Sequence, residues 1–549
     1  MPLSFAHKVK TRVQKRLSRL ACNTVLYNWS LGGEVPHGIQ VSPCDIWPGD
    51  AEAGRWLIES GTFEFGGDRL ELHDADWEPD GIEPRWFDHV HSHDWLRDLK
   101  ALSGDAARRA ARAMVQSWIE EYPVWDERSW RADILGRRIS NWISLYGFFG
   151  ESADDDFQFI MLESLARQAR HLFRVLPGSL AGLDLLYAVK GLAYAGIALE
   201  GREVCLEQAL SLLDQEIDKQ ILSDGGHINR CPNQLAIAIQ ILLDLRSALQ
   251  AGGYPGQEKI QHALDRAVPA LRFFRHGDRN FALFHGSQEG SEDIVKTILL
   301  QARSRARTLN SLPHSGFERI AQGKALFIMD TGKPSNYPYD KNSHAAPLSF
   351  EFSYGRERVF VNCGSHPTSQ EWITALRHTP AHNTLTIDDR NACEIGEDGH
   401  FLRRPRVVQS SREDMDGAVL VDACHDGYLP LNGITHRRRI YMADQGHDLR
   451  GEENLNCGIG LGRPVSIALR FHLHPDIPVS LVNEDREALL RIKNGPGWRF
   501  TANGGTLRLE NSVYLGEGVR PRKTKQLVLY TQMEEDLLQL KWALQRESV

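Results

Sequence analysis

Near Leu312-Pro313 the spacing of apolar residues changes from the three-and-four step of helices to the two-step of strands, and no single-layer fold accommodates both. From about Asp98 to about Arg307, Leu162, Leu165, Ala169, Leu172, Phe173 and Leu176 mark one helical face, and Leu235, Ile239, Leu242, Leu245 and Leu249 mark another. Pro177-Gly178, Gly225-Gly226 and Gly252-Gly253 interrupt these runs, so successive helices are expected to return as antiparallel hairpins. Beyond about Ser315 the segments 325–329, 417–421, 465–471, 489–492 and 526–530 read as strands between turn residues. Helices first and strands later, without alternation, predict an α+β multidomain chain and exclude a doubly wound sheet. Periodicity alone does not separate a closed ring of hairpins from a solenoid.

The 549 residues, 42% hydrophobic, exceed what one core takes, so more than one domain is expected: 1–48 a basic helix and extended arm, 49–312 helical, 313–549 an antiparallel sandwich. A net charge of -8 gives no attraction to nucleic acid, and no motif for binding it is present. The basic start MPLSFAHKVKTRVQKRLSRL lacks an uninterrupted apolar stretch and cleavage site, which points to the cytoplasm; a periplasmic location would need a route not visible in the sequence. Eight scattered cysteines without a CxxC pair fit reduced thiols, and no apolar run reaches the ~18 residues of a transmembrane segment.

Chemistry concentrates in three places. Asn342 to Asp389 places His344 and His382 at the entrances of strands marked by Leu348, Phe350 and Phe352, then Val359 and Val361, then Leu385 and Ile387. Ser223 to Pro232 is a glycine-rich turn that carries His227, Asn229 and Arg230 to the start of a helix, where N–H groups face an anionic ligand. Without further context His227 reads more readily as a loop histidine capping that helix. Trp86 to Trp95 clusters His89, His91 and His93 with aromatic rings; they suit a sugar-facing wall, or a metal only if the segment is extended. His472 and His474 share one strand face and are expected to face solvent.

The segments NSHAAPLSF, VNCG and AHNT, with SDGGHINRCP upstream, resemble the heparinase II/III-like polysaccharide lyases, and WRADILGRRISNWI, LLYAVKGLAYAG, RQAR and FHLHPD look like a bacterial subgroup of that family. The resemblance implies an (α/α) toroid followed by a β-sandwich, and β-elimination of an acidic, uronate-containing poly- or oligosaccharide. Elimination needs a carboxylate clamp, a base for the C5 proton and an acid for the leaving oxygen. On this reading His227 is the base and Arg230 the clamp, with His344 and Tyr339 as further proton-transfer groups. Asn229, Gln234, Arg138, Asn141, His93 and Trp95 would contact the glycan. His344, Asn362 and His382 fall on zinc-ligand positions, with Asn362 in place of an aspartate, so either Zn2+ or a buried His-Asn-His network is expected. Three usual catalytic positions differ: Gln234 replaces a tyrosine, Asn342 a histidine, and Leu183-Asp184 an Asn-His pair. A non-catalytic glycan-binding protein is therefore the alternative, and a hydrolase using Asp184 and Asp224 a third reading. The glycan's identity and the oligomeric state stay open.

Overall fold

The structure, a computed structural model, describes residues 21–72, 76–304, 307–493 and 495–547. The basic helix expected at the extreme N-terminus lies outside them. The chain forms two compact units: Met1–Ile221 with Ala236–Asp265 and Asp293–Arg303, and Leu222–Leu235 with Arg266–Glu292 and Ser304–Val549. The change of period at Leu312-Pro313 falls inside the second.

The first unit is helical. Its helices start where a side chain can accept the free N–H groups of the first turn. Asp154 accepts from the Phe157 N–H (2.8 Å) ahead of Asp155–Val175, and Asp50 from Glu52 and Ala53 ahead of Ala51–Ser60. Helices Ala132–Ser144 and Gly182–Ala198 cross so closely that a Cβ on Gly191 would lie 2.3 Å from Gly136 Cα, and one on Gly136 2.2 Å from the Tyr187 carbonyl oxygen. Gly191→Val is expected to lower stability by about 1–3 kcal/mol through overpacking, read as a lower urea midpoint. None of the described helices is long and apolar enough to cross a membrane.

The second unit carries eight-, five-, four- and two-stranded sheets, whose paired strands are antiparallel among the described residues. Alternation places Phe350, Phe352, Phe471, Phe500 and Trp542 in one apolar core, each contributing roughly 1.5–3 kcal/mol on burial. Ala325–Asp330 is buried at every position, as a strand covered on both faces should be, and it ends in a carboxylate. That core also holds a buried charge pair: Arg438 Nε donates to Glu453 (2.8 Å), which also accepts from His436 Nε2 (2.7 Å) and Trp542 Nε1 (3.0 Å).

Candidate functional site

The glycine-rich turn is anchored by its own carboxylate. Asp224 Oδ2 accepts from the His314 and Ser315 N–H groups (both 2.7 Å), and Oδ1 from Gly226 N (3.0 Å) and the Ser315 hydroxyl (2.8 Å). At Gly225 (φ 85°) a Cβ would sit 1.9 Å from the Arg266 carbonyl oxygen, so only glycine lets the chain pass. Asp224, with its acceptor sites filled, is a structural anchor and not a hydrolytic acid.

Arg230, in the left-handed region at φ 61°, turns inward. Its Nε donates to the Ser315 carbonyl (2.6 Å), and its Nη2 to the Gly316 carbonyl (3.0 Å) and to Asp330 Oδ1. The guanidinium stacks 4.7 Å over the Phe317 ring and is 5% exposed, against 1% for Asp330. Burial raises the Asp330 pKa, but Arg230 and His285 outweigh it and hold the carboxyl below its ordinary range. The expected carboxylate clamp thus already clamps a carboxylate of this chain.

From Asp330 a line of imidazoles continues. His285 Nδ1 accepts from the His344 main-chain N–H (3.2 Å), so its proton resides on Nε2 and is donated to Asp330 Oδ2 (2.9 Å). His382 Nε2 faces the Leu376 carbonyl oxygen and His344 Nδ1 (both 3.1 Å) and therefore carries its ring proton. Burial pushes His382 down to about 3 and His344 well below the usual histidine range, so the line is neutral. His227, 2% exposed, is also pushed down to about 3 by burial. Its Nδ1 accepts from Asn229 N (3.2 Å), which leaves the proton on Nε2, the wrong tautomer for a base at that atom. Asn229 Nδ2 donates to Gln234 Oε1. Tyr339 lies half-buried on the turn before His344, its N–H donating to the Asn336 carbonyl (2.7 Å).

These donors do not fit zinc. Asn362 Oδ1 accepts from Asn383 N (3.1 Å), its Nδ2 and His382 Nδ1 are buried without partners, and the two facing imidazole nitrogens share a proton. Two imidazoles and a neutral amide make a poor zinc site. Among the described residues, ligand atoms of Glu289, His474 and Glu517 also approach one another within 4.8 Å. There Arg358 lies 4.0 Å from Glu289, and Arg522 pairs with Glu517 at 3.1 Å, so cationic side chains already balance the carboxylates.

The helical unit holds a separate cavity of about 350 Å3, and the substrate contacts expected in that unit divide around it. Asn141 lines it; its Oδ1 accepts from Arg97 Nη2 (2.8 Å) and its Nδ2 donates to Asp94 Oδ1 (2.8 Å). Arg138 does not: fully buried, it donates to Gln168 Oε1 (2.8 Å) and the His91 carbonyl (2.6 Å) and stacks 3.9 Å from the Trp118 ring. His93 and Trp95 are also interior, His93 Nδ1 accepting from Trp142 Nε1 (2.9 Å) and Trp95 Nε1 donating to the Val90 carbonyl (3.0 Å). The segment around them is helical, Pro84–Ser92, so His89 and His91 diverge onto Phe65 and Phe87 and cannot share a metal. His472 and His474 are buried, not solvent-facing; His472 donates to the Pro380 carbonyl (2.9 Å) and accepts from Ser512 Oγ (2.7 Å).

Sequence reasoning missed His285 and Asp330, although a carboxylate closing a wholly apolar strand signals a buried partner. It also missed Lys190, the one cationic residue of the largely apolar helix Gly182–Ala198, whose Nζ donates to Asp244 Oδ2 (2.6 Å).

Family models described as heparinase II/III N-terminus and heparinase II/III-like, C-terminal match residues 67–327 and 304–543. FtsZ-localized protein C of Caulobacter vibrioides is 30% identical over 530 residues, covering 93% of this chain and 90% of that protein. A heparin-sulfate lyase of Bacteroides thetaiotaomicron is 25% identical over 272 residues, 45% of this chain and 36% of that one. The solved structure of a heparinase III aligns with a TM-score of 0.75 at 16% identity, covering 95% of this chain and 90% of that one. The heparan sulfate lyase HepC of Pedobacter heparinus aligns at 0.61 and 14%, covering 99% and 88%. The fold is a helical toroid with a C-terminal antiparallel β-sandwich, as the sequence resemblance implied.

Proposed function

Because the chain belongs to the heparinase II/III-like family and has a polysaccharide lyase scaffold, we propose that it binds glycan on that scaffold without cleaving it by the family's eliminative route. One observation carries this reading: the Arg230 guanidinium, needed to neutralise a uronate, is buried against Asp330. Removing it from that partner would leave an uncompensated buried carboxylate, at a cost of about 3–5 kcal/mol that substrate binding would have to offset. Gln234 and Asn342 at positions expected to hold tyrosine and histidine, and the proton on His227 Nε2, point the same way. The relative matched along nearly its whole length is named for localisation with FtsZ rather than for a cleavage reaction.

Calorimetric titration against a panel of neutral, amino and uronate oligosaccharides tests the reading, with ultraviolet absorbance recorded on the same samples. Saturable binding with no absorbance rise is expected; no binding to any member would sink it.

The competing reading is β-elimination of an acidic glycan, with His227 as base. It is favoured by an imidazole that stays unprotonated at neutral pH. It requires the ring proton to move from Nε2 onto Nδ1, breaking the hydrogen bond that Nδ1 accepts from the Asn229 N–H, and an unsaturated product lost in His227→Ala.

The His344-His382 pair acts as a hydrogen-bonded strut that needs no metal. Purified protein is expected to hold zinc far below one equivalent by elemental analysis. One equivalent that disappears in both His344→Ala and His382→Ala would refute this.

A further inference from the structure

We infer that the cavity of the helical unit is a subsite for an uncharged or amine-bearing sugar and disfavours uronates and sulfated sugars. This rests on the glycan-binding reading above and names the ligand class. At about 350 Å3 the cavity lies at the small end of the ~300–1,000 Å3 of ligand clefts, room for a sugar unit rather than a polymer. Trp47, Phe65 and Tyr187 give its wall half-buried rings on which the C–H face of a sugar can lie. The Trp47 ring is pinned by its Nε1–H, donated to Asp244 Oδ1 (2.7 Å).

Charge decides which sugar. The lining holds three cations, Arg97, Arg137 and Lys190, and four carboxylates, Glu64, Asp94, Asp98 and Asp244. Each cation is already committed. Arg97 Nε donates to Asp45 (2.7 Å) and its Nη2 to Asn141, Arg137 pairs with Asp94, and Lys190 with Asp244 (2.6 Å). Burial opposes ionisation of Asp94, yet Arg137 and Arg97 prevail and hold its carboxyl well down, as expected for a satisfied pair.

Glu64 and Asp98 differ. Glu64 accepts from the Gly67 N–H and Asp98 from the Asp50 N–H (2.8 Å), and neither forms an ion pair among the described residues. Burial, with Glu64 nearby, pushes Asp98 up to about 7. An incoming carboxylate or sulfate would therefore meet no free cation, and two carboxyls whose own ionisation burial already opposes. An ammonium group would meet two carboxylates in need of one.

A second, independent feature points to a ligand. His89 lines the cavity, is 6% exposed and stacks on Phe65 at 4.6 Å, and its Nε2 is buried with no hydrogen-bond partner. Burial pushes its pKa down to about 4, so the ring is neutral at physiological pH. A sugar hydroxyl both donates and accepts and satisfies Nε2 in either tautomer. An orphaned buried nitrogen is costly, so a group that pairs with it is bound with a gain.

The test is calorimetric titration of the full chain with glucosamine, N-acetylglucosamine and glucuronic acid. Glucosamine is expected to bind at least as tightly as N-acetylglucosamine, and glucuronate at least about tenfold more weakly than either. His89→Phe keeps the stack on Phe65 and removes both ring nitrogens, including the one hydrogen-bonded to the Glu64 main chain. It should lower affinity for both amino sugars by about tenfold while the sugar-free protein still melts cooperatively. Asp98→Asn should weaken glucosamine alone. Tightest binding by glucuronate would overturn the inference and leave glycan binding standing. Sugar binding untouched by His89→Phe would move the ligand elsewhere and overturn it too, and no binding of any sugar would remove both readings.

Discussion

Replacing Asp330 with alanine is expected to destabilise the sheet-bearing unit by about 3–5 kcal/mol. The carboxylate ends a strand buried at every position, accepts from Arg230, from His285 Nε2 (2.9 Å) and from Gly332 N (3.0 Å), and is 1% exposed. Its loss leaves a guanidinium interred against the Phe317 face with no counter-charge, and burial of an unpaired charge is among the few single-site changes of this size. Arg230→Met should cost a comparable amount. The double variant Arg230→Met/Asp330→Leu should cost clearly less than the sum, because neither charge is then stranded. Urea unfolding followed by tryptophan emission reads this out through Trp498 and Trp542, both in the core of that unit. Were Arg230 instead held ready for a substrate carboxylate, Arg230→Met would spare stability and abolish binding, the reverse of the expected pattern.

Acid should unfold the protein early. Burial pushes His89, His171 and His472 down to about 4 and His91, His227 and His382 down to about 3, against an ordinary value of 6.5. For each, the unfolded chain takes up a proton near pH 6.5 while the folded chain takes none until the folded value is reached. The stability they confer is therefore complete above pH 6.5 and is lost as pH falls toward 4, at up to about 1.4 kcal/mol per pH unit per ring. Glu453 adds a lower window. Burial opposes its ionisation, but Arg438 and His436 hold it at about 2, so its contribution is full above about 4.5 and lost as pH falls through 2. Melting temperatures at pH 7.5, 6.0 and 5.0 check the histidine set; a steep fall below pH 6.5 is expected, and a flat profile would show that these rings are hydrated in solution.

The architecture was legible because it rests on local periodicity. The continuous apolar run Ala325–Met329 and the alternation in Val465–Phe471 mark strands whichever partners they find, and the breaks at Pro177-Gly178 and Gly252-Gly253 end helices for steric reasons. The site was less legible because its defining contacts are non-local. Nothing near Arg230 announces Asp330, and His285 enters only through the folded backbone of His344. Arg138 and Asn141, three residues apart on one helix, look alike in sequence as candidates for a polar cleft. In the fold Arg138 stacks on Trp118 inside the packing while Asn141 reaches the cavity. His472 looked solvent-facing because strand alternation specifies a face but not what covers it; the Pro380 carbonyl and the Ser512 hydroxyl do. Lys190 was overlooked although its signal was present, since a lone lysine in an apolar helix requires a buried carboxylate, and Asp244 supplies it.

Glycan retention without elimination is tested most directly at protein concentrations equal to that of the glycan. Full-length protein is incubated with uronate-containing oligosaccharides, and the products are resolved by mass spectrometry for an unsaturated non-reducing end. Intact oligosaccharide after prolonged incubation, in wild type and His227→Ala alike, is the result expected here. An unsaturated fragment formed by wild type and absent from His227→Ala would contradict it and restore His227 as the base.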